Sequence, residues 1–450
     1  MDATAVTEQL LDPELRQRLD AADLAALRCK ADDSVHRAGV TFGARRFEVD
    51  PVPRIIEAEE WRELSAGIAQ RVRALEAFVA DAYGAQEIIA AGAVPERVLQ
   101  GADHYQPGLR GLRPPGGWIG VAGLDLLRGP DGRFAVVEDN VRTPSGAAYL
   151  LAARQAVDDA LGWAPPERAD VRGALLDALR ATLRAATPPG VEQPFVALVT
   201  DGPSNAAHWE HRVLAEAVPI ALVRTDELEL RGDRLYARRP AGPARPIDVV
   251  YRRTDEDRLH DDEGRLTSVG ALVAPAWSAG TLGLVNAYGT GLADDKVAHA
   301  YVEDMVRFYL DSEPILRSVG TYDLGDEGAR AEALDRVDEL VVKPRGGYGG
   351  RGVVVGPRAP RAERERASRA VRDDPQGHVA QETVWFSRHP TVVDGRLEPR
   401  HVDLRPFAYR AGDAVRVVPG GLTRVAFAED ELVVNSSRGG GAKDTWVLSR

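Results

Sequence analysis

The sequence contains one cysteine in 450 residues, and this scarcity excludes several kinds of protein. Cys29 has no partner for an internal disulfide, and no Cys/His cluster has the spacing of a zinc site. No apolar run reaches the roughly 18 residues that a membrane helix needs, and the first residues lack the basic and apolar regions of a secretion signal. We therefore expect a cytoplasmic protein without a redox, structural-zinc or membrane role.

Positive charge is also in short supply. Aspartate and glutamate number 69 and lysine and arginine 57, which gives a formal net charge of -12. A nucleic-acid-binding surface needs a basic stripe to neutralise phosphates, so this balance argues against nucleic-acid partners and leaves room only for local basic pockets. The length allows two or three domains at about 150 residues each.

The order of the predicted elements indicates a mixed α/β and α+β fold. Apolar residues at three- and four-residue spacing predict a long helix over residues 58–83. Strands and helices alternate over residues 147–251, which is typical of a layer with parallel strands. A single helix is predicted over residues 294–310, and the chain after it consists mostly of strands with turns. Residues 39–54, rich in Gly, Pro and Arg, are predicted to be irregular.

A glycine-rich segment follows Lys343 and lies between two short predicted strands. It has five glycines within residues 346–352. Their backbone N–H groups could fold over a polyphosphate, with the lysine charge beside it. The pattern matches neither GxxxxGK[ST] nor GxGxxG, because a strand rather than a helix follows it. A mobile hairpin tip without a ligand explains the segment equally well.

Two predicted strands joined by an Asp-Gly turn carry Asp125, Glu138 and Asn140. Because side chains alternate along a strand, Glu138 and Asn140 face one side and Asp139 the other, and the paired strand can place Asp125 beside the first two. Two carboxylates and an amide oxygen suit Mg²⁺, which one or two carboxylates usually hold together with substrate phosphates. The alternative is a solvated hairpin end in which Glu138 makes an ordinary surface ion pair.

Two further segments have both a functional and a structural interpretation. Alternation places His401, Asp403 and Arg405 on one strand face, which could clamp a phosphate or carboxylate or could form a structural ion-pair network. Ser204 or Asn205 is a natural N-cap for a helix predicted to follow, which is a sufficient structural account. Binding of an anionic substrate group at that helix N-terminus is the other interpretation.

A lysine on a strand before a glycine-rich hairpin, combined with an Asp…Glu-x-Asn-x-Arg set, resembles the ATP-grasp ligases. In those enzymes the lysine and glycine loop precede the metal-binding set, whereas the order is reversed here. This reversed order is typical of the circularly permuted ATP-grasp family of the glutathionylspermidine synthetase type. The chain is similar to that family also in two further motifs, ADDK at residues 293–296 and RHVDLRPF at residues 400–407. The likeness runs from about residue 40 to residue 448.

The resemblance implies a role for each matching residue. The matches to magnesium ligands are Asp125, Glu138 and Asn140. The matches to nucleotide-binding positions are Lys296, Lys343, Gly346, Gly347, Tyr348, Gly349, Gly350, Gln381 and Glu382, the last two as the hinge that bonds adenine and ribose. Arg142 matches an arginine near the acyl phosphate, and Arg405 and Arg424 match basic residues that face the transferred phosphoryl group. Many ATP-grasp ligases have an arginine two residues before the first metal aspartate, where this sequence has Gly123.

The resemblance also implies a fold and an activity. The nucleotide would lie between two α+β subdomains, next to an α/β pre-ATP-grasp-like layer. The expected divisions are an N-terminal helical and irregular segment (1–57), part of the ATP-grasp core with the metal-binding hairpin (58–165), the pre-ATP-grasp-like domain (166–292), and the lid with the remaining core (293–450).

The implied reaction is an ATP- and Mg²⁺-dependent joining of a small-molecule or peptide carboxylate to an amine, through an acyl phosphate. Two other interpretations stay open at this point. One is a catalytically inactive ATP-binding scaffold or regulatory partner, and the other is a kinase that releases a stable phosphorylated product.

Overall fold

A computed structural model of the protein describes residues 7–8, 12–163, 165–239, 242–261, 263–347, 350–429, 432, 434 and 440–449. The helices in these ranges are α1 (Pro13–Asp20), α2 (Leu24–Arg37), α3 (Ala58–Ala82), α4 (Glu87–Ala90), α5 (Ala147–Leu161), α6 (Val171–Ala185), α7 (His208–Ala217), α8 (Ser268–Ser278), α9 (Lys296–His299), α10 (Val302–Leu310), α11 (Glu327–Asp335) and α12 (Arg361–Asp373). None of these helices combines the length and apolar character needed to cross a bilayer.

A seven-stranded sheet forms the centre of the molecule, and its neighbours are distant in sequence. Its strands, in spatial order, are β13 (Arg317–Ser318), β5 (Phe134–Asn140), β4 (Val121–Arg128), β20 (Arg405–Ala411), β21 (Ala414–Val425), β22 (Gly441–Val447) and β3 (Val49–Ile56). The long helix α3 packs on β20 and β21 with its apolar stripe, as the spacing of its apolar residues predicts.

Two four-stranded sheets complete the framework of the site. The parallel sheet has the order β12 (Gly283–Val285), β11 (Val249–Arg253), β6 (Val196–Thr200) and β7 (Ala221–Arg224), and is the predicted layer of alternating strands and helices. The antiparallel sheet has the order β14 (Thr321–Asp323), β17 (His378–Glu382), β15 (Leu340–Pro344) and β16 (Val354–Val355).

The remaining described strands form small sheets. They are the hairpin β1 (Thr41–Phe42) and β2 (Arg45–Arg46), the hairpin β18 (Arg388–Val393) and β19 (Arg396–His401), and the three-stranded sheet β8 (Leu228–Arg231), β9 (Arg234–Ala237) and β10 (Arg245–Pro246).

Residues 39–54 are not irregular throughout, as the sequence had suggested. They include two short strands and most of β3, a fully buried strand that pairs in parallel with β22 at one end of the large sheet. The register shifts between the pairs Lys443–Asp50 and Thr445–Arg54, so Pro51 and Pro53 lie in an irregular part of the ladder. Proline lacks an N–H donor and is tolerated at a sheet edge, which is why a proline-rich segment forms a strand here.

The helix predicted over residues 294–310 is two helices, α9 and α10, separated at Ala300 and Tyr301. Side chains beside the break make separate bonds. The ring of His299 contacts Asp139 at 2.7 Å, and the Tyr301 hydroxyl donates to Asp323 at 2.8 Å. The chain before the break is therefore bonded to β5 of the seven-stranded sheet, and the chain after it to β14 of the antiparallel sheet.

The back of the β4–β5 hairpin is fixed by a buried ion pair. Arg71 of α3 donates from Nε and Nη2 to the two carboxylate oxygens of Asp139 at 2.6 and 2.7 Å, and both side chains are at most 3% exposed. Burial opposes the charge of Asp139, but Arg71 outweighs burial and holds the pKa of Asp139 below its usual range. Asp139 therefore faces away from Glu138 and Asn140, as strand alternation predicts.

We expect Asp139→Ala to lower the free energy of unfolding by about 3–5 kcal/mol, because it leaves the Arg71 charge buried without its partner. The neighbouring Glu138→Gln should change it by less than about 0.5 kcal/mol, because that side chain is partly solvated. Urea unfolding followed by tryptophan fluorescence measures both variants. Equal effects of the two substitutions would contradict the description of the hairpin's two faces.

Candidate active site

A cleft of about 700 Å³ opens between the seven-stranded sheet, the antiparallel sheet and the carboxyl ends of the parallel strands. It brings together the site residues predicted from sequence that the structure describes: Asp125, Glu138, Asn140, Arg142, Lys296, Lys343, Gly346, Gly347, Gly350, Gln381, Glu382, Arg405 and Arg424. Tyr348 and Gly349, also predicted to bind nucleotide, lie outside the described residues.

The β4–β5 hairpin forms one wall of the cleft. Asp125 lies opposite Glu138 and Gly123 opposite Asn140, and the three polar side chains line the cleft. The Glu138 side chain is 36% exposed, and its Oε1 lies 3.8 Å from Nζ of Lys296. Nδ2 of Asn140 is buried and has no hydrogen-bond partner among the described residues. This wall presents one open carboxylate and one amide with free bonding capacity.

Asp125 is fixed between two arginines. Arg405 donates from Nε and Nη2 to the two carboxylate oxygens at 2.6 and 2.8 Å, and Nη2 of Arg424 lies 3.0 Å from Oδ2. Arg424 is itself held by Asp403. Burial opposes the charge of Asp125, but the two guanidinium groups outweigh it and lower the pKa of Asp125 to about 2.

Gly123 occupies a tightly packed position, where many ATP-grasp ligases have an arginine. A Cβ atom at Gly123 would lie 3.1 Å from Cβ of Pro144 and 3.3 Å from the ring of Phe407. The guanidinium beside Asp125 comes instead from Arg405, on the neighbouring strand β20. A guanidinium thus lies beside Asp125 although the strand that carries Asp125 has no arginine at that position.

Arg142, just after β5, is held by two carboxylates. Its Nε donates to Asp294 at 2.7 Å and its Nη1 to Asp257 at 2.6 Å, and Nη1 also lies 2.9 Å from Nε2 of His104. Burial raises the pKa of Asp294 to about 6, although Arg142 acts in the opposite direction. Arg142 is thus oriented before any ligand arrives.

Lys343, on β15, is enclosed in the cleft wall beneath the glycine-rich loop. Its Nζ donates to Oε1 of Gln381, whose Nε2 donates to the carbonyl of Val137 at 3.2 Å and to Thr321 at 2.9 Å. Burial lowers the pKa of Lys343 to about 8. The Gln381 side chain therefore holds the lysine and joins two sheets.

The start of the glycine-rich loop is anchored by two basic residues. Lys296 Nζ donates to the carbonyls of Gly347 at 2.7 Å and Arg345 at 3.4 Å. Arg345 donates from Nε to both carboxylate oxygens of Asp295, at 2.8 and 3.0 Å, and from Nη2 to the carbonyl of Val98 at 2.8 Å. The loop thus begins from a fixed position over the cleft.

Glu382 lies at the end of β17, on the strand that carries Gln381. Its carboxylate accepts from Nη2 of Arg336 at 3.0 Å and from the Tyr322 hydroxyl at 2.6 Å, while the side chain stays 40% exposed. It is therefore an oriented carboxylate that solvent still reaches.

In the part of the cleft that the parallel sheet supplies, sequence reasoning singled out only Ser204 or Asn205, and Asn205 lines the cleft. His211, Arg253 and Asp255 line the cleft there, near the carboxyl ends of β6 and β11. No motif marks these residues. Their position after two predicted parallel strands could have indicated a binding role, because ligands of such sheets bind at the carboxyl ends of the strands.

The hairpin wall fits a magnesium ion that is bound mainly through substrate phosphates. In the described ranges no group of three or more His, Cys, Asp or Glu side chains is placed to hold a metal ion. Mg²⁺, however, often uses only one or two carboxylates with waters and phosphates. The open carboxylate of Glu138 meets this need, and Oδ1 of the neighbouring Asn140 would be the second ligand, whereas both oxygens of Asp125 are held by arginine.

The comparison with known families agrees with this arrangement. The model of the family described as circularly permuted ATP-grasp type 2 matches residues 53–426. The chain belongs to this family, which confirms the family predicted from the order of the motifs. Membership supports an ATP-dependent ligase.

Three relatives show how far the likeness extends. An uncharacterized protein of Mycobacterium tuberculosis H37Rv is 42% identical over 448 residues, covering 96% of this chain and 80% of the relative. An uncharacterized protein of Synechocystis is 39% identical over 454 residues, covering 97% and 92%. A Frankia casuarinae protein named "Putative glutamate--cysteine ligase 2-2" is 43% identical over 423 residues, covering 92% of this chain and 48% of that protein.

Among solved structures, a glutathione synthetase-like effector from Globodera pallida in its apo form has the same overall fold. The TM-score is 0.58 at 12% sequence identity, and the alignment covers 99% of this chain and 100% of that one. The likeness confirms the predicted fold class.

The pairing of Asp125 predicts a pH dependence of stability. Because its folded-state pKa lies below its ordinary value, Asp125 stabilises the fold at neutral pH, and this contribution is lost as the pH falls from about 4 toward about 2. Over this pH interval we expect the free energy of unfolding of Asp125→Asn to fall by roughly 2 kcal/mol less than that of the unchanged protein. Urea unfolding at a series of pH values tests this expectation, and identical slopes would contradict the arginine pairing.

Proposed function

We propose that this protein is an ATP-dependent ligase that joins a carboxylate to an amine through an acyl phosphate, with Mg²⁺ and release of ADP. One observation carries the proposal. A single cleft contains Lys343 and the glycine-rich loop together with the hairpin of Glu138 and Asn140, although these segments are about 200 residues apart in sequence. Phosphoryl transfer depends mainly on positioning and charge neutralisation, and this lining consists of lysines, arginines and oxygen ligands.

The proposed nucleotide end lies under the glycine-rich loop. Lys343 and Lys296 would neutralise phosphate oxygens, and loop N–H groups would bind them. Since the Gln381 side chain is used to hold Lys343, Glu382 is the member of that pair with solvent access for a ribose contact. The loop, anchored through Arg345, would cover the phosphates and exclude water from the acyl phosphate.

The proposed metal ligands are Glu138 and Asn140, with Asp125 as a third group that would have to leave an arginine to join them. Magnesium supplies neutralisation of charge on the transferred phosphoryl group. The chain's own contribution is the fixed hairpin register, which sets the Glu138 carboxylate and the Asn140 amide on one face.

Arginines surround the place where the phosphoryl group would move. A carboxylate oxygen of one substrate attacks the γ-phosphorus of ATP, and the bond from that phosphorus to the ADP oxygen breaks. Arg405, Arg424 and Arg142 would stabilise the charge of the transferred group, since all three line the cleft and are held by carboxylates. The amine then attacks the acyl carbon, inorganic phosphate leaves, and the amine nitrogen loses a proton.

The Frankia relative supports the type of reaction. Its name describes a ligase that joins two amino acids by a carbon–nitrogen bond, which agrees with a carboxylate–amine ligase. The chain corresponds to about half of that protein. We therefore extend to this chain the formation of a carbon–nitrogen bond and not the particular substrates.

An ATP-binding scaffold without ligase activity is the second candidate, and one observation favours it. Both oxygens of Asp125 are engaged by Arg405, so one of the three proposed metal ligands is not open. A scaffold would bind ATP without forming ADP when carboxylate and amine substrates are added. Measuring ADP and inorganic phosphate over a panel of amino acids and small peptides separates the candidates, and ADP without free phosphate would indicate a kinase.

We expect Lys343→Met to reduce ATP-dependent turnover roughly a hundredfold, which corresponds to about 3 kcal/mol for one preorganised charge. The measurement is substrate-stimulated ADP release with a coupled assay. Lys30→Met, at an exposed position on α2, is the matched control and should keep full turnover. Full activity of Lys343→Met would remove this lysine from the phosphate site.

Glu138→Gln should lower turnover and raise the Mg²⁺ concentration needed for half-maximal activity, because the amide binds the cation less strongly than the carboxylate. The fold should be unchanged, which circular dichroism and urea unfolding verify. A variant that keeps the wild-type magnesium requirement and rate would show that Glu138 is not a metal ligand.

A further inference from the structure

The parallel sheet has a topological switch point that opens into the cleft. From β6 the chain passes through α7 to β7 on one side, and from β11 it passes through α8 to β12 on the other side. The connections leave in opposite directions between the adjacent strands β6 and β11. A crevice forms at the carboxyl ends of such a strand pair, and ligands of α/β sheets bind there.

His211, on α7, brings a hydrogen-bond donor to this crevice. Its ring is 1% exposed and lines the cleft, and Nδ1 lies 2.8 Å from Oγ1 of Thr200, which also accepts from the N–H of Gly202 at 3.2 Å. The buried Thr200 hydroxyl has no other described acceptor for its proton, so it donates to Nδ1. The neutral ring then carries its proton on Nε2, which bonds to no described residue.

The charge of the nearby Arg253 is balanced by Glu210, although its Nε is buried without a partner among the described residues and is a second donor beside His211. Arg253 Nη2 donates to Glu210 at 2.9 Å, and Nη1 donates to the carbonyl of Pro144 at 2.6 Å. The carboxylate of Glu210 also accepts from the backbone N–H groups of Gly146 and Ala148 at the start of α5. A ligand oxygen here would therefore meet a neutral N–H beside a neutralised ion pair.

A carboxylate lies on the other side of the same crevice. Asp255, just after β11, lines the cleft and is exposed to it. Asn205 donates to one of its oxygens at 2.7 Å, and its backbone N–H donates to Asp201 at 2.6 Å. Burial, together with the neighbouring carboxylates of Asp201 and Asp257, raises the pKa of Asp255.

Asn205 fixes the geometry between the two groups rather than capping α7. Its Oδ1 accepts from the N–H of Ala207 at 3.0 Å, while its Nδ2 reaches Asp255. Residues 202–204 form a separate 3₁₀ turn and α7 begins at His208, so the expected Ser204 or Asn205 cap is not observed. One side chain thus ties the start of α7 to the loop after β11.

We propose that this crevice is a substrate subsite for a molecule with an ammonium group and a nearby carbonyl or carboxylate oxygen, as in a free amino acid or peptide. Asp255 would bind the ammonium group and Nε2 of His211 would donate to the oxygen. The subsite lies in the same cleft as the proposed phosphate-binding residues, so the bound molecule would supply the amine or the carboxylate of the ligation. This last step alone rests on the proposed ligase function.

Direct binding tests the subsite without requiring turnover. The probes are the twenty L-amino acids, each with its N-acetyl counterpart, titrated calorimetrically into the full chain with and without Mg²⁺ and a non-hydrolysable ATP analogue. We expect at least one free amino acid to bind, and its N-acetyl form to bind at least tenfold more weakly. Asp255→Asn and His211→Phe should each weaken binding about tenfold or more, since each removes a bond to a charged or buried group.

Two controls separate the proposed contacts from loss of folding. His208→Phe, on the same helix but outside the cleft lining, should leave binding unchanged, and His211→Gln, which restores a side-chain N–H donor, should recover part of the affinity. Failure of every amino acid to bind, or binding that neither Asp255→Asn nor His211→Phe weakens, overturns the subsite.

The outcomes also distinguish this inference from the proposed function. Binding that depends on His211 and Asp255 but never stimulates ADP release supports the subsite and contradicts the ligase. Ligation whose KM for the amino acid is the same in wild type, His211→Phe and Asp255→Asn supports the ligase and overturns the subsite.

Discussion

The two-point pair between Arg405 and Asp125 joins side chains 280 positions apart in the sequence, and the cleft depends on it. It ties β20 to β4 at the level where Asp125 faces Glu138 across the hairpin. The pair therefore sets the position of the arginines relative to the open carboxylate. Neither group alone would be stable when buried, so the charges are retained because each neutralises the other.

Local sequence patterns were sufficient to predict the strands of the β4–β5 hairpin and the strand that leads into the glycine-rich loop. Alternation along β5 predicted that Glu138 and Asn140 share one face and Asp139 the other, and the ion pair with Arg71 lies on that second face. Such patterns repeat over a few residues and need no knowledge of the rest of the chain. The order of the motifs along the chain predicted the family and the fold class.

Sequence patterns failed where a side chain's role depends on distant partners. His211 and Asp255 belong to no motif, and only the placement of β6 beside β11 brings them to one crevice. The side chains beside the break between α9 and α10 likewise bond to Asp139 and Asp323, which approach from other elements. The two prolines of β3 suppressed a strand prediction, because their tolerance at an edge is visible only once the order of the strands is known.

The burial of β3 also limits how the molecule meets its neighbours. All eight residues of β3 are buried, α2 and β18 pack against the strand, and the N–H of Val392 in β18 donates to Asp50, so another strand could not continue the hydrogen-bonded ladder there. Assembly by adding strands, whether between identical copies or in misfolded aggregates, is blocked at this edge.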